Sequence, residues 1–100
     1  MKRFEGKTVL VTGGNRNTGL DIVEKFAREG AKVFMCGSSD GSTAKGAEVL
    51  KARGLEGIVS QTCDISDAAQ VSALFDTIER EAGRLDILIN NAANQGIGVS

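Results

Sequence analysis

The segment Thr12-Gly13-Gly14-Asn15-Arg16-Asn17-Thr18-Gly19 joins an apolar run to an amphipathic one, and that junction has the makings of an anion site. Thr8-Val9-Leu10-Val11-Thr12 reads as a short strand, and Leu20, Val23, Phe26 and Ala27 recur just after it at helical spacing. The first-turn amide groups of such a helix have no partner inside the helix, and its dipole adds partial positive charge there. A diphosphate placed at this end gains several backbone hydrogen bonds, and glycines let it come close. The chemistry implied is nucleotide binding.

The residue types that are missing exclude other chemistries. The sequence has no His, Tyr, Trp or Pro. A histidine-based metal site or triad is ruled out in these residues, and so is a phenol acting as acid or base. Asp, Glu, Lys, Ser, Thr and two cysteines remain. Cys36 and Cys63 lie in apolar runs, and their spacing matches no zinc or redox motif. Both are expected to be buried packing residues in a reducing compartment. The net charge of −1 leaves no electrostatic footprint for nucleic acid or an anionic membrane. No apolar run approaches the roughly 20 residues that span a bilayer. Lys2 and Arg3 do not open a signal peptide, because Glu5, Gly6 and Lys7 interrupt before any apolar core. A cytoplasmic protein without nucleic-acid or membrane partners is the expectation.

The elements that must position the glycine turn alternate along the whole chain. One hundred residues, 41% of them apolar, suit one soluble domain. Strands are predicted at residues 8–12, 32–36, 58–63 and 86–91. Helices are predicted at residues 18–29, about 42–53 and 67–82. Gly30, Gly54 and Gly83 stand where the three helices should end. Residues 38–43 read as a polar turn. The second helix is expected to turn Ala44, Ala47 and Leu50 inward. The third is capped by Ser66 or Asp67 and carries an apolar stripe of Val71, Leu74, Phe75 and Ile78. Ile87-Leu88-Ile89 reads as a strand buried on both faces.

Four strands joined by three helices point to right-handed crossovers and a parallel sheet. With the phosphate signal in the first turn, the doubly wound order 3-2-1-4 follows, with ligand at the carboxyl ends. The fourth strand would then be an open edge, with only helix 67–82 over its face of the sheet. A buried-type strand left at an edge invites aggregation. The sheet is therefore expected to be incomplete, to be finished by a separate polypeptide, a continuation or a symmetry mate.

Three motifs occur in order, each at a strand's carboxyl end: Thr12 to Gly19, then Cys63-Asp64-Ile65-Ser66-Asp67, then Asn90-Asn91-Ala92-Ala93. Together they resemble the N-terminal part of the short-chain dehydrogenase/reductase family, and all 100 residues fit that part. The resemblance implies a Rossmann fold, with residues 1–100 as the N-terminal part of the dinucleotide-binding domain and the catalytic C-terminal part outside this chain. It also implies an oligomer, and hydride transfer between NAD(H) or NADP(H) and a small alcohol or carbonyl substrate. Of the family's Thr-Gly-x-x-x-Gly-x-Gly, Thr12, Gly13 and Gly19 match, whereas Asn17 replaces the middle glycine. Asn tolerates left-handed geometry better than other side chains. Asn17 is either a tolerated turn residue or the mark of a reshaped site. With Gly13 and Gly19, Asn15, Arg16, Asn17 and Thr18 line the implied diphosphate site. Asp64 stands where the family's aspartate meets the adenine amino group, beside Ile65; its plainer reading is a carboxylate ahead of a helix cap. Asn91, Ala92 and Ala93 fall where the family's backbone touches the ribose, Ala93 in place of a glycine. Asn90 is at least as well read as a tie between strand ends.

For the cofactor, Gly37 sits where an NAD-type carboxylate would be, and Asp40 follows three residues later. Arg16 holds the basic position of NADP-preferring members, with Asn15, Ser38 and Ser39 as neutral donors, although Ser38 stands where a second Arg is often found. Arg16 is otherwise a solvated loop charge. The balance favours NADP(H) over NAD(H). In the family a Tyr is the general acid/base, assisted by Lys, Ser and Asn further along the fold. No residue of this chain takes the Tyr role, so no catalytic residue is assigned. The chain alone is expected to be inactive: the NADP(H)-binding portion of an oxidoreductase, active only when completed. The alternative is a non-catalytic dinucleotide-binding regulatory or sensor subunit, or a scaffold without ligand.

Overall fold

All five residues of Thr8–Thr12 are buried, as happens only to a strand with neighbours on both edges and cover on both faces. A computed structural model describes residues 3–13 and 17–90, with Asn17 described by its backbone alone. In it the chain runs β1 (Thr8–Thr12), α1 (Asn17–Arg28), β2 (Lys32–Gly37), α2 (Asp40–Ala52), β3 (Val59–Thr62), α3 (Ala68–Ala82) and β4 (Ile87–Asn90). The four strands form one parallel sheet in the order β3-β2-β1-β4, as the sequence pattern predicts. The sheet is Rossmann-like and doubly wound.

Successive side chains of a strand point to opposite faces, and the two apolar cores divide accordingly. Val9, Val11, Val33 and Met35 pack with Leu20 and Val23 of α1 and Leu50 of α2. Leu10, Phe34 and Cys36 pack on the other face with Cys63 and with Leu74 and Ile78 of α3. Both cysteines are buried and free. Burial pushes the Cys36 thiol up to about 11 and raises that of Cys63, so both stay protonated at neutral pH and act as packing groups. No helix among the described residues is long and apolar enough to cross a membrane.

Four local expectations give way to the tertiary context. Helix α2 begins at Asp40, inside the predicted polar turn, because Ser39 caps it: its Oγ accepts from the Ser42 N–H. That start turns Thr43, Gly46 and Leu50 inward and leaves Ala44 exposed. Thr43 tolerates burial because its hydroxyl donates to the Ser39 carbonyl at 2.7 Å. On α3 the cap is Asp67, one of the two expected, but Phe75 lies 39% exposed instead of buried. Among the described residues strand β4 pairs only with β1. Ile87 and Ile89 are half-buried against the α1 side, while Leu88 on the other face is 51% exposed. Ile58 and Cys63 flank β3 instead of belonging to it.

The amino ends of β1 and β4 are locked by Asp86. Its Oδ2 accepts from the Thr8 N–H at 2.8 Å, and its Oδ1 accepts from the Arg84 guanidinium at 2.6 Å. The Arg84 guanidinium, helped by the Thr8 amide, holds the Asp86 carboxyl below its ordinary value. A depressed folded value stabilises above the unfolded carboxylate pKa, and the stabilisation is lost as pH falls through the folded value. Stability followed by urea denaturation should therefore drop on acidification below about pH 4. Asp86→Asn should flatten that acid limb, and an unchanged limb would show that Asp86 does not contribute to it.

Helix α3 ends at Gly83, whose φ of 77° lies in the left-handed region and whose N–H bonds the Glu79 carbonyl at 2.9 Å. Open space surrounds the position a Cβ would take both there and at Gly41 in the first turn of α2. Only the backbone angle distinguishes the two sites. Gly83→Ala should cost about 1 kcal/mol, whereas Gly41→Ala should stabilise by roughly 0.5 kcal/mol. Denaturant midpoints that moved the same way would refute this.

Candidate nucleotide-binding site

In a parallel sheet all strands end on the same side, so the carboxyl ends of β1, β2, β3 and β4 share one rim. Strand β1 lies between β2 and β4, and the chain winds outward from it in both directions. This is a topological switch point, where open α/β sheets form their ligand crevice.

Two bonds at the end of β1 fix the start of the glycine turn. The Gly13 N–H donates to the Cys36 carbonyl at 2.9 Å, and Gly13 takes a φ of 71°. A residue with a side chain is strained at that angle. Thr12 Oγ1 donates to Asn90 Oδ1 at 3.0 Å, with the Ile89 carbonyl at 3.4 Å, and Thr12 pairs with Asn90 in the parallel register. Asn90 is thus a tie between strand ends. Helix α1 then opens at Asn17, with Thr18 exposed and Gly19 buried in its first turn. A buried glycine there lets helix and sheet approach closely. The first turn holds no acidic residue, and Lys25 and Arg28 sit in the last turn. The charges therefore follow the helix dipole at its carboxyl end and leave its amino end open to an anion.

Gly37 is buried at the end of β2, and its carbonyl accepts from the Cys63 N–H at 2.8 Å. Ser38 and Ser39 are exposed beyond it. Ser39 is already engaged as the α2 cap, with its Oγ 2.9 Å from Ser42 Oγ. Asp40, exposed in the first turn of α2, is placed to offset that helix's own dipole.

After β3, Asp64 and Ile65 are both exposed. Asp64 Oδ1 accepts from Ser66 Oγ at 2.6 Å and from the Ser66 N–H at 2.9 Å. The Ser66 hydroxyl, then the Ser66 amide, hold the Asp64 carboxyl below its ordinary value, so it is ionised at neutral pH. The Asp64 N–H donates to Gln70 Oε1 at 2.9 Å. Gln70 Nε2 donates to Asp67 Oδ2 at 3.1 Å, while Asp67 Oδ1 accepts from the Ala69 and Gln70 amides. Ser66 and Gln70 were not foreseen as site residues. Their signals are local ones: an Asp followed two residues later by Ser, and an acidic cap followed three residues later by Gln.

The structure therefore brings Gly13, Thr18, Gly19, Ser38, Ser39, Asp64 and Ile65 to one rim, together with the backbone of Asn17. Asn15, Arg16, Asn91, Ala92 and Ala93, and the Asn17 side chain, lie outside the described residues. Below the rim, Leu10, Leu74, Phe75 and Leu88 border an apolar cleft of about 240 Å³ that reaches Ile65 and Asn90. No cluster of three metal-ligating side chains occurs among the described residues.

Comparison with known proteins agrees with this architecture. The family model for short chain dehydrogenases matches residues 7–99. L-fucose dehydrogenase of Bos taurus is 41% identical over 90 residues, which is 90% of this chain and 32% of that protein. The crystal structure of 2-keto-3-deoxy-D-gluconate dehydrogenase from Streptococcus agalactiae superposes with a TM-score of 0.83 at 31% identity, covering 90% of this chain and 34% of the other. An actinorhodin polyketide ketoreductase solved with NADPH superposes with a TM-score of 0.78 at 28% identity, covering 85% of this chain and 32% of the other. The chain belongs to the short chain dehydrogenase family. It spans about a third of the length of the relatives it matches.

Thr12→Val keeps the shape of the side chain and removes its hydroxyl. It should cost about 1 kcal/mol in urea denaturation through loss of the bond to Asn90. An unchanged midpoint would show that the β1–β4 tie contributes nothing.

Proposed function

We propose that this chain is the NADP(H)-binding part of an oxidoreductase that moves hydride between a nicotinamide cofactor and a small alcohol or carbonyl substrate. The observation that carries the reading is the turn at the end of β1: Gly13 at a φ of 71° leads into a helix whose first turn lacks acidic residues, in a chain of this family. In this reading the diphosphate lies across residues 13–19. Asp64 and Ile65 receive the adenine, and Asn91, Ala92 and Ala93 lie beside the ribose. Bound cofactor supplies the hydride chemistry; the protein binds it, orients it and excludes water from it.

The NADP(H) preference rests on charge. Arg16 is the one cation in the stretches that follow β1, β2 and β3, residues 13–16, 38–39 and 63–67. No carboxylate ends β2, since Gly37 is there and Asp40 belongs to α2. A 2′-phosphate thus meets Arg16, Asn15, Ser38 and Ser39 without an opposing acid at the strand end. In the family the proton passes through a Tyr, and residues 1–100 contain none. Residues 1–100 therefore act as the N-terminal part of the dinucleotide-binding domain, completed by a further catalytic segment that also reads the substrate. A cytoplasmic, oligomeric enzyme belongs to the same proposal. Asn17, in the middle glycine's place, favours a second reading, in which the chain is a non-catalytic dinucleotide-binding regulatory or sensor subunit.

Thermal and chemical denaturation with NADPH, NADH and ADP tests the site. NADPH at about a hundredfold excess over its Kd should stabilise by about 2.7 kcal/mol. No shift with any of the three would sink the reading. Arg16→Ala should weaken NADPH about 10- to 100-fold, the size of a charged hydrogen bond to phosphate, and NADH far less. Equal losses would remove Arg16 as a 2′-phosphate ligand.

A further inference from the structure

Helix α1 presents an acid-free first turn, but both of its acidic residues follow within two turns. At a rise of about 1.5 Å per residue, Asp21 and Glu24 lie roughly 6 and 10 Å along the axis from Asn17. Three residues apart, they share one side of the helix. The cover for their charge comes from another helix. Arg53, the residue that caps the carboxyl end of α2, sends its side chain to α1. Its Nη1 donates to Glu24 Oε1 at 2.8 Å and to Asp21 Oδ1 at 3.3 Å, across 29 and 32 residues of chain. Arg28, the last residue of α1, returns the contact. Its Nη2 donates to the Arg53 carbonyl at 3.2 Å, and its Nε donates to Glu24 Oε2 at 2.7 Å. An arginine near a helix carboxyl end ordinarily bonds that helix's own last carbonyls. Here Arg28 serves the end of α2, and the Arg53 guanidinium is released to α1. The Glu24 and Arg53 side chains are only 28% and 34% exposed, so their pairing is screened less than that of fully exposed charges. The Arg28 hydrogen bond, and after it that of Arg53, holds the Glu24 carboxyl below its ordinary value, so it is ionised at neutral pH.

We propose that Arg53 sets the affinity of the α1 amino end for a diphosphate, by covering the charge of Asp21 and Glu24 with its own. The inference rests on the reading that the diphosphate of a dinucleotide lies across residues 13–19. It adds to that reading a residue remote in sequence, from the far end of a different helix. The helix dipole supplies only about half a positive charge at the amino end. One bare carboxylate on the same helix is therefore enough to oppose it. With Arg53 in place, two guanidinium groups and two carboxylates sum to zero beside the site. Without it, one negative charge is left over on the helix that has to attract an anion. The main-chain amides make the hydrogen bonds to the ligand, and Arg53 decides how much long-range attraction accompanies them.

The test is titration calorimetry with ADP and NADPH at about 0.01 M and about 1 M salt, where the Debye length is about 30 Å and about 3 Å. At low salt Arg53→Gln should weaken both ligands about two- to threefold, the size of one charge acting on a diphosphate from roughly 10 Å in water. At high salt the variant and the unsubstituted protein should bind alike. Arg53→Lys keeps the charge and should retain the affinity. Adding Asp21→Asn to Arg53→Gln removes the uncovered carboxylate and should restore it. Asp21→Asn alone, which leaves the Glu24 contacts in place, should tighten both ligands by a similar factor at low salt. Loss of mechanical support weakens binding at both salt concentrations and is not repaired by removing a carboxylate, so a purely structural role does not imitate this pattern. An Arg53→Gln protein that binds as well as the unsubstituted one at low salt overturns the proposal. So does a loss that persists at high salt, or an Asp21→Asn protein of unchanged affinity. In each of these cases the nucleotide site itself still stands. An unsubstituted protein that binds neither ligand overturns the site reading together with this one.

Discussion

Strand β1 is fixed at both ends and on both edges, and the rest of the molecule takes its position from that constraint. Asp86 holds its amino end through the Thr8 N–H, and Asn90 ties its carboxyl end through Thr12 Oγ1. Between those bonds Val9 and Val11 are sealed under α1 and α2, and Leu10 under α3. A strand so placed has no freedom to slide, since a shift of one residue would exchange its two apolar faces. The direction in which it delivers the chain to Gly13 is therefore set. The Gly13 N–H bond to the Cys36 carbonyl then ties the turn to β2 as well. The rim owes its geometry to this central strand more than to the loops that line it.

The parts of the fold that were legible in the sequence are those whose apolar pattern has one solution. Helix α1 shows its stripe of Leu20 and Val23 against polar neighbours, and the structure buries both. The order of the strands followed from alternation and from the phosphate turn. Less legible was α2, where Thr43 and Ala44 both suit an inward position by size. The Ser39 cap sets the helix phase, and a threonine is buried because it can bond the Ser39 carbonyl. Ile87-Leu88-Ile89 departs from its pattern for a different reason. An apolar run reports residue type and says nothing of how many neighbours the strand has, and β4 has one among the described residues.

At the site the same division holds. Backbone features announce themselves through glycine, and Gly13 adopts the positive φ that its place suggests. Side-chain networks are harder to read, because hydrogen-bond partners a few residues apart leave only faint spacing cues. Asp64 was visible through its motif, whereas the Ser66 and Gln70 bonds that orient it became visible only in three dimensions. Ser39 stands in the sequence as a neutral donor, and the structure adds a second task, since its Oγ accepts from the Ser42 N–H at the start of α2.

Electrostatics decides which group at this rim can meet a second phosphate. The amino end of α2 lies beside the end of β2 and would ordinarily be an anion site of its own. Here its first turn contains Asp40, and its cap is filled by Ser39. The helix dipole is thereby offset from within, and an incoming phosphate at that end would face a carboxylate of like charge. Helix α1 carries no such acid in its first turn. Among the helices that start on this rim, α1 and α2 thus differ in what they offer an anion: α1 offers main-chain amides, and α2 is already neutralised. A ribose phosphate near β2 must therefore draw its attraction from a side chain, and the loops after the first three strands contain a single basic one, Arg16. In the proposed function, affinity for the diphosphate would fall to the backbone, and discrimination between the two nicotinamide dinucleotides to one guanidinium.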